Sequence, residues 1–354
     1  MMKLLYSAVL AAAAFFATQA WADAPESIGP GGAKATPAAS VTISAEDAAK
    51  IKSGNYTAAF SWHELYDWSN AVSQGAKDEF ARLGIKVVAE TNASFDASRQ
   101  KADVETIMAL KPSLLISLPA DPAVGKATYS ALQGSKTKLV FIDNAADGFT
   151  YGHDYVSLVT SDRAIIGQKT AEALAKAMNG KGKVGYIFHD ADFPVTNQRD
   201  QAFLWNLKEK YPDMEVVAKA GMTDPAKAEE IAHAMLTQHP EIQGIYTPWA
   251  EPALGVLSAL KQLGRNDVRV VTIDLNEPAA LDMMKGGSIA GMVADQAYDI
   301  GVTAARAGAL SLLGKEAPPF LVVGADIVAK DNVAQGWQAS LHRDPPKSVL
   351  EAAK

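Results

Sequence analysis

From residue 56 onward the chain alternates short β-rich apolar runs with longer stretches of helical periodicity. The runs 56–60, 85–89, 114–118 and 139–142 read as strands. The intervening stretches 68–83, 98–110 and 124–132 read as helices, the first with Trp68, Val72, Ala76, Phe80 and Leu83 at helical spacing. Uninterrupted apolar strands separated by helices are the rhythm of a parallel sheet covered on both faces.

The rhythm then repeats. Helices are expected at 165–178, 198–210, 225–238, 252–263, 278–285 and 299–313, with Asp224 capping the third of them. Strands are expected at 184–188, 215–218, 242–246, 268–273 and 289–293. A double series of this kind predicts two similar three-layer α/β lobes with Rossmann-like parallel sheets. The expected chain crossings lie near 156–162, 294–296 and 323–329, a three-strand hinge. The first lobe is then 54–158 plus 296–324, and the second 159–295 plus 325–354. Before them, 23–40 is rich in Pro, Gly, Ala and Ser and reads as a flexible or loosely docked arm; 44–50 reads as a turn or two of capped helix. Together these make an extension over 23–53.

The start of the chain changes the setting. Residues 1–3 carry a lysine, 4–16 are almost wholly apolar, and Ala20-Trp21-Ala22 offers small residues where a signal peptidase reads. The apolar run is shorter than the roughly 20 residues that span a bilayer, so 1–22 reads as a secretory signal cleaved after Ala22. The chain contains no cysteine, which excludes disulfides, thiolate chemistry and a lipid on an N-terminal cysteine. Its formal charge is −7 and becomes more negative when Lys3 is removed, which disfavours nucleic acid and anionic membranes as partners. A free periplasmic protein fits these facts.

Ligands of open parallel sheets bind beyond the carboxyl ends of the strands. The residues at those ends are Trp62, His63, Glu64, Tyr66, Asp67 and Trp68 after the first strand, then Asp143-Asn144, then His189-Asp190 with Arg199 on the next helix. Pro248-Trp249 with Glu251, Asp274 and Asp295 follow at the later ends. Aromatic faces beside carboxylates and an arginine suit a polyhydroxylated molecule, whose C–H faces need flat apolar surface and whose hydroxyls need acceptors and donors. A small cation is the rival, because the acids outnumber Arg199 and indole faces attract cations. Each residue also has a plain structural reading: Asp67, Asp143 and Asp274 as caps, Trp68 as core, Trp249 as a packed hinge residue, Arg199 as a solvated helix arginine. Only their coincidence at strand ends favours a site.

At these residues the chain resembles the ribose-binding branch of the bacterial periplasmic sugar-binding proteins, the type I solute receptors of ABC importers. The resemblance runs from about Tyr56 to Ile327. It is carried by Trp68…Gly75…Gly84, Leu118-Pro119-Ala120-Asp121, Ile142-Asp143, Thr160-Ser161-Asp162…Gly167, Arg199…Phe203, Ala253-Leu254-Gly255 and Ile273-Asp274. It implies two lobes that close by a hinge motion around one sugar and deliver it to an inner-membrane permease. A chemotaxis receptor is a further candidate partner. The implied receptor is monomeric and needs no cofactor. By position, Trp68 would stack on the sugar, and Asp143, Arg199 and Asp274 would clamp its hydroxyls. Trp249 stands where relatives often have asparagine, Asp295 where they often have glutamine, and Asn144 where the ribose binder has a second arginine. These departures point away from ribose, toward a rarer pentose, a deoxy-sugar or a short polyol.

Other classes leave weaker traces. An exported hydrolase could use Asp143, Asp274, His189 and Glu251 as acid and base, but no Gly-x-Ser-x-Gly elbow is present. The six histidines (63, 153, 189, 233, 239 and 342) form no His-Glu-x-x-His pair, and no acidic calcium loop is present, so no metal is expected. A repressor that shares the fold would need a DNA-binding headpiece before Tyr56, and none is legible there.

Overall fold

The computed structural model describes residues 24–352; the expected export signal lies outside the described residues. Among the described residues thirteen strands follow in chain order: β1 (Thr36–Pro37), β2 (Thr57–Trp62), β3 (Lys86–Asn92), β4 (Leu114–Ser117), β5 (Lys138–Ile142), β6 (Ser157–Ser161), β7 (Gly182–His189), β8 (Met214–Met222), β9 (Ile242–Tyr246), β10 (Arg269–Ile273), β11 (Ile289–Asp295), β12 (Phe320–Val323) and β13 (Ala325–Val328). They form two sheets. The first has the order β1-β12-β6-β5-β4-β2-β3 and the second β13-β11-β10-β9-β7-β8. Every pairing is parallel except β11 with β13. The inner strands are buried on both faces, which explains why they read as apolar runs.

The chain passes between the sheets at three points. It leaves β6 at Ser161 and enters helix Arg163–Ala177, which packs on β10 and β11. It returns from β11 at Asp295 into helix Ala297–Leu312, which packs on β5 and β6. It crosses again through Gly324, between β12 and β13. Three segments read only as crossings or as arm, at β1, β6 and β12–β13, are therefore also ladder strands. The expected helix at 124–132 is a series of short turns, and two unexpected helices, Val333–Leu341 and Lys347–Glu351, follow the last crossing.

Close helix packing fixes the first lobe. Helices Asp67–Leu83 and Ala297–Leu312 cross at Gly75 and Gly301. A Cβ at Gly75 would lie 2.0 Å from the Tyr298 carbonyl oxygen, and one at Gly301 would lie 1.8 Å from that of Val72. Only hydrogen fits there, and this contact seats the helix that carries Trp68.

The arm is not loose. Helix Ala45–Ser53 is capped by Ser44, whose hydroxyl accepts from Asp47 N–H at 3.1 Å, and it buries Ile51. Residues 36–37 add an edge strand to β12. Composition suggested looseness because Gly and Pro are common there, but the segment is held by a short edge pairing and by hydrogen bonds to distant side chains, which composition does not reveal.

Candidate functional site

The two sheets present their carboxyl ends to one narrow cavity of about 60 Å³ between the lobes. Asp143 follows β5 and Asp274 follows β10, and both adopt left-handed backbone, φ 57° and 68°. Aspartate tolerates this conformation better than most residues. In each, the backbone N–H donates to a neighbouring strand, Asp143 to Val159 O at 3.0 Å and Asp274 to Val293 O at 2.8 Å. The same device thus ends equivalent strands in the two lobes. Thr160 Oγ1 donates to Asp143 Oδ1 at 2.6 Å, and the buried Arg163 guanidinium donates to the Asp143 carbonyl. Asp274 Oδ1 is buried without a partner.

Arg199 enters from helix Pro194–Lys210. Proline at the first helical position needs no N–H partner there. The N-cap residue, Phe193, has no side-chain cap to offer; Asn197 accepts from its N–H at 3.1 Å, and Asn144 of the first lobe accepts from Val195 N–H at 3.1 Å across the cleft. Gly167 lets the helix approach Arg163–Ala177, since a Cβ there would sit 2.4 Å from the Arg199 carbonyl oxygen. The Arg199 side chain is buried, donates through Nη2 to Ser161 Oγ at 2.8 Å, and lies 3.7 Å from Asp295 Oδ2. Its Nε has no partner.

The aromatic wall is continuous with this charge network. Trp68 Nε1 donates to Asp295 Oδ1 at 3.0 Å, and Tyr66 stacks near its ring at 6.2 Å and 24°. His63 meets the edges of Tyr66 and Phe95, while Trp249 stands edge-on to His189 at 5.1 Å.

Burial and mutual repulsion set the charges. Burial pushes His63 down to about 3, so the imidazole is neutral at ordinary pH. Burial, then the negative charge of Asp295, raises Asp274 well above the usual carboxylate range. Asp295 is raised to about 6 by burial, against the pull of Arg199. Burial alone would lower Arg199, but Asp274, Asp143 and Asp295 outweigh it and keep the guanidinium charged. Three buried carboxyl groups against the Arg199 and Arg163 guanidiniums leave the site rich in acceptors.

Of the residues singled out from sequence, His63, Tyr66, Trp68, Asp143, Asn144, Arg199, Trp249 and Asp274 line this cavity. Asp295 lies just beneath it, fully buried behind Trp68 and Arg199. Trp62 does not reach it. Strand β2 continues through residue 62, and its two-residue alternation puts Trp62 on the same face as Phe60, ring on ring at 5.8 Å, with Nε1 bonded to Glu90 at 3.1 Å. Asp67 also points elsewhere: it opens helix Asp67–Leu83 and pairs with Arg343 on an outer face. Phe95, Leu118, His189, Phe193, Val195 and Thr196 line the cavity as well. His189 ends β7 and is among the strand-end residues read from the sequence; Phe95, just past the end of β3, is one that the strand-end rule could have included. Among the described residues no cluster of three or more His, Asp or Glu side chains could hold a metal, and Glu251 does not line the cavity.

Residues 58–316 match the family described as the periplasmic binding protein domain. The chain belongs to the periplasmic binding protein family. Within it the chain falls in the ribose-binding-protein-like branch. It is similar to the ribose import binding protein of Salmonella typhimurium, 26% identical over 73% of this chain and 86% of the relative. It is also similar to the D-apiose import binding protein of Actinobacillus succinogenes, 26% identical over 65% of this chain and 73% of the relative. A solved structure, a carbohydrate transporter solute binding protein from Agrobacterium radiobacter in complex with D-arabinose, superposes with a TM-score of 0.70 at 24% identity, covering 81% of this chain and 99% of the other. The two-lobed type I architecture is thus that of the periplasmic binding proteins, which hold solutes without transforming them.

Proposed function

We propose that the chain is a periplasmic receptor that closes its two lobes around one small sugar or polyol and delivers it to an ABC permease. The observation that carries this reading is a set of buried polar atoms without hydrogen-bond partners, contributed by both lobes around one cavity: His63 Nδ1 from the first lobe, and Arg199 Nε and Asp274 Oδ1 from the second. Each such atom costs about 1–3 kcal/mol while unpaired. Solute hydroxyls would satisfy them, and they would do so only when both lobes are in place, which favours the closed form. His63, Tyr66, Trp68, Asp143, Asn144, Arg199, Trp249, Asp274 and Asp295 form the proposed site.

The finer reading is a rare pentose, a deoxy-sugar or a short polyol. Its support is the narrow cavity, the bulk of Trp249 at its wall, and relatives named for five-carbon sugars. A small cationic solute is the second reading, favoured by the excess of carboxylates over Arg199. We further infer export by cleavage after Ala22 and action as a monomer, with a chemotaxis receptor as a candidate second partner.

The test is a thermal-shift screen of pentoses, hexoses, deoxy-sugars, polyols and small amines, followed by calorimetry and recovery of the solute. A true solute at about 100 times its Kd stabilises the folded form by about 2.7 kcal/mol. A five-carbon compound recovered unchanged supports the proposal. A shift produced only by amines replaces it with the cationic reading, and a chemically altered solute defeats it.

A further inference from the structure

We propose that residues 24–40 form a strap that ties the second lobe to the first and restrains the opening of the empty cleft. The strap precedes the part of the chain that matches the family, which starts at residue 58. The idea does not depend on which solute the cleft holds.

One end of the strap belongs to the first lobe. Thr36 and Pro37 pair with Leu321 and Val322 of β12. Residues 28 and 34 form an antiparallel bridge, and Gly29 N–H donates to Ala33 O at 2.8 Å. Gly29 lies against the Phe320 ring so closely that a Cβ would fall 2.5 Å from it.

The other end grips the crossing and the second lobe. Ser27 Oγ donates to Asp162 Oδ1 at 2.6 Å and accepts from Ala164 N–H at 3.0 Å. The Arg163 guanidinium donates to Ile28 O at 3.3 Å. Both backbone groups of Ile28 then go to one side chain: its N–H donates to Gln198 Oε1 at 3.0 Å, and its carbonyl accepts from Gln198 Nε2 at 2.8 Å. Gln198 precedes Arg199 on the helix that carries it into the cleft. The Ile28 side chain is about half exposed, so apolar burial does not hold this end; polar bonds do.

The geometry has a mechanical consequence. If the second lobe swings away, Gln198 moves with it while Phe320 and β12 stay behind. Either both Gln198 bonds break, or the strap peels from the edge of the first sheet. Two partly exposed neutral bonds shift a two-state balance by roughly threefold to tenfold. The strap therefore weights the empty receptor toward the closed arrangement.

The absence of native cysteine allows a direct test. Ala102→Cys in the first lobe and Ala234→Cys in the second, both exposed on helices, take spin labels in the full mature chain. Pulsed electron–electron resonance without solute then reads the interlobe distance. Gln198→Leu, which removes both bonds, is expected to raise the ratio of long to short distances threefold to tenfold. A folded Gln198→Leu protein with an unchanged distribution overturns the proposal. If that variant does not fold, Ser27→Ala decides in the same way. The measurement is made on empty protein, so its failure leaves the solute reading untouched, and failure of the solute screen leaves the strap untouched.

Discussion

Replacing Asp295 by asparagine separates its charge from its shape. The side-chain oxygen that accepts from Trp68 Nε1 at 3.0 Å can stay, while the buried negative charge goes. In the native protein this carboxyl is raised from 3.8 to about 6, mainly by burial, with Arg199 opposing and Asp143 adding to the rise. The folded state therefore keeps a proton that the unfolded chain releases, so stability falls as pH climbs through that window. About two units at 1.36 kcal/mol each make roughly 3 kcal/mol. Asp295→Asn removes this loss, and it also relieves Asp274 of a negative neighbour, which acts in the same direction. Relative to the parent, the variant is expected to gain about 3 kcal/mol between pH 3.5 and 7. Urea unfolding followed by tryptophan fluorescence at steps of pH measures the difference. Parallel stability curves for the two proteins would refute the reasoning, because Asp295 would then not be the titrating group.

Three further outcomes are expected. Arg199→Met removes the guanidinium beside Asp295 and Asp274 while Arg163 stays at the Asp143 carbonyl, and it should weaken solute binding by about 2–5 kcal/mol in calorimetry with whichever compound passes the thermal screen; unchanged affinity would take Arg199 out of the site. Gly301→Ala forces a methyl against the Val72 carbonyl and should cost about 1–3 kcal/mol, read as a lowered Tm, whereas a variant as stable as the parent would mean that the two helices part freely. Asn144→Ala removes the cap that the first lobe places on helix Pro194–Lys210 and should speed solute release about fivefold, matching the ~1 kcal/mol of a lost cap, while Asn144→Asp retains the acceptor and should release slowly; equal release rates would deny the contact a part in closure.

Much of this architecture was legible because strands buried on both faces must be apolar and their ends must carry whatever faces the cleft. That logic located Asp143, Arg199 and Asp274 without coordinates. It failed at Trp62 because the strand ran two residues further than its apolar run, and alternation then turned the indole inward. It passed over β6 as a strand because Ser157, Thr160 and Ser161 are polar although buried, so hydropathy there reads as connection. It missed the cross-cleft bond of Asn144 to Val195 because a helix cap supplied by a different lobe leaves no local spacing to read. The N-terminal segment was misjudged for a related reason: its partners, Gln198, Asp162 and β12, are more than a hundred residues away.

The backbone twist shared by Asp143 and Asp274 bears on how this receptor should be dissected. An alanine at either place loses its carboxylate and must also hold a torsion that alanine resists at a cost of roughly 1–2 kcal/mol. Truncation scans would then credit these two positions with recognition energy that is really conformational. Asparagine, which accepts the same torsion, is the cleaner probe, and the gap between its effect and that of alanine measures the torsional share directly.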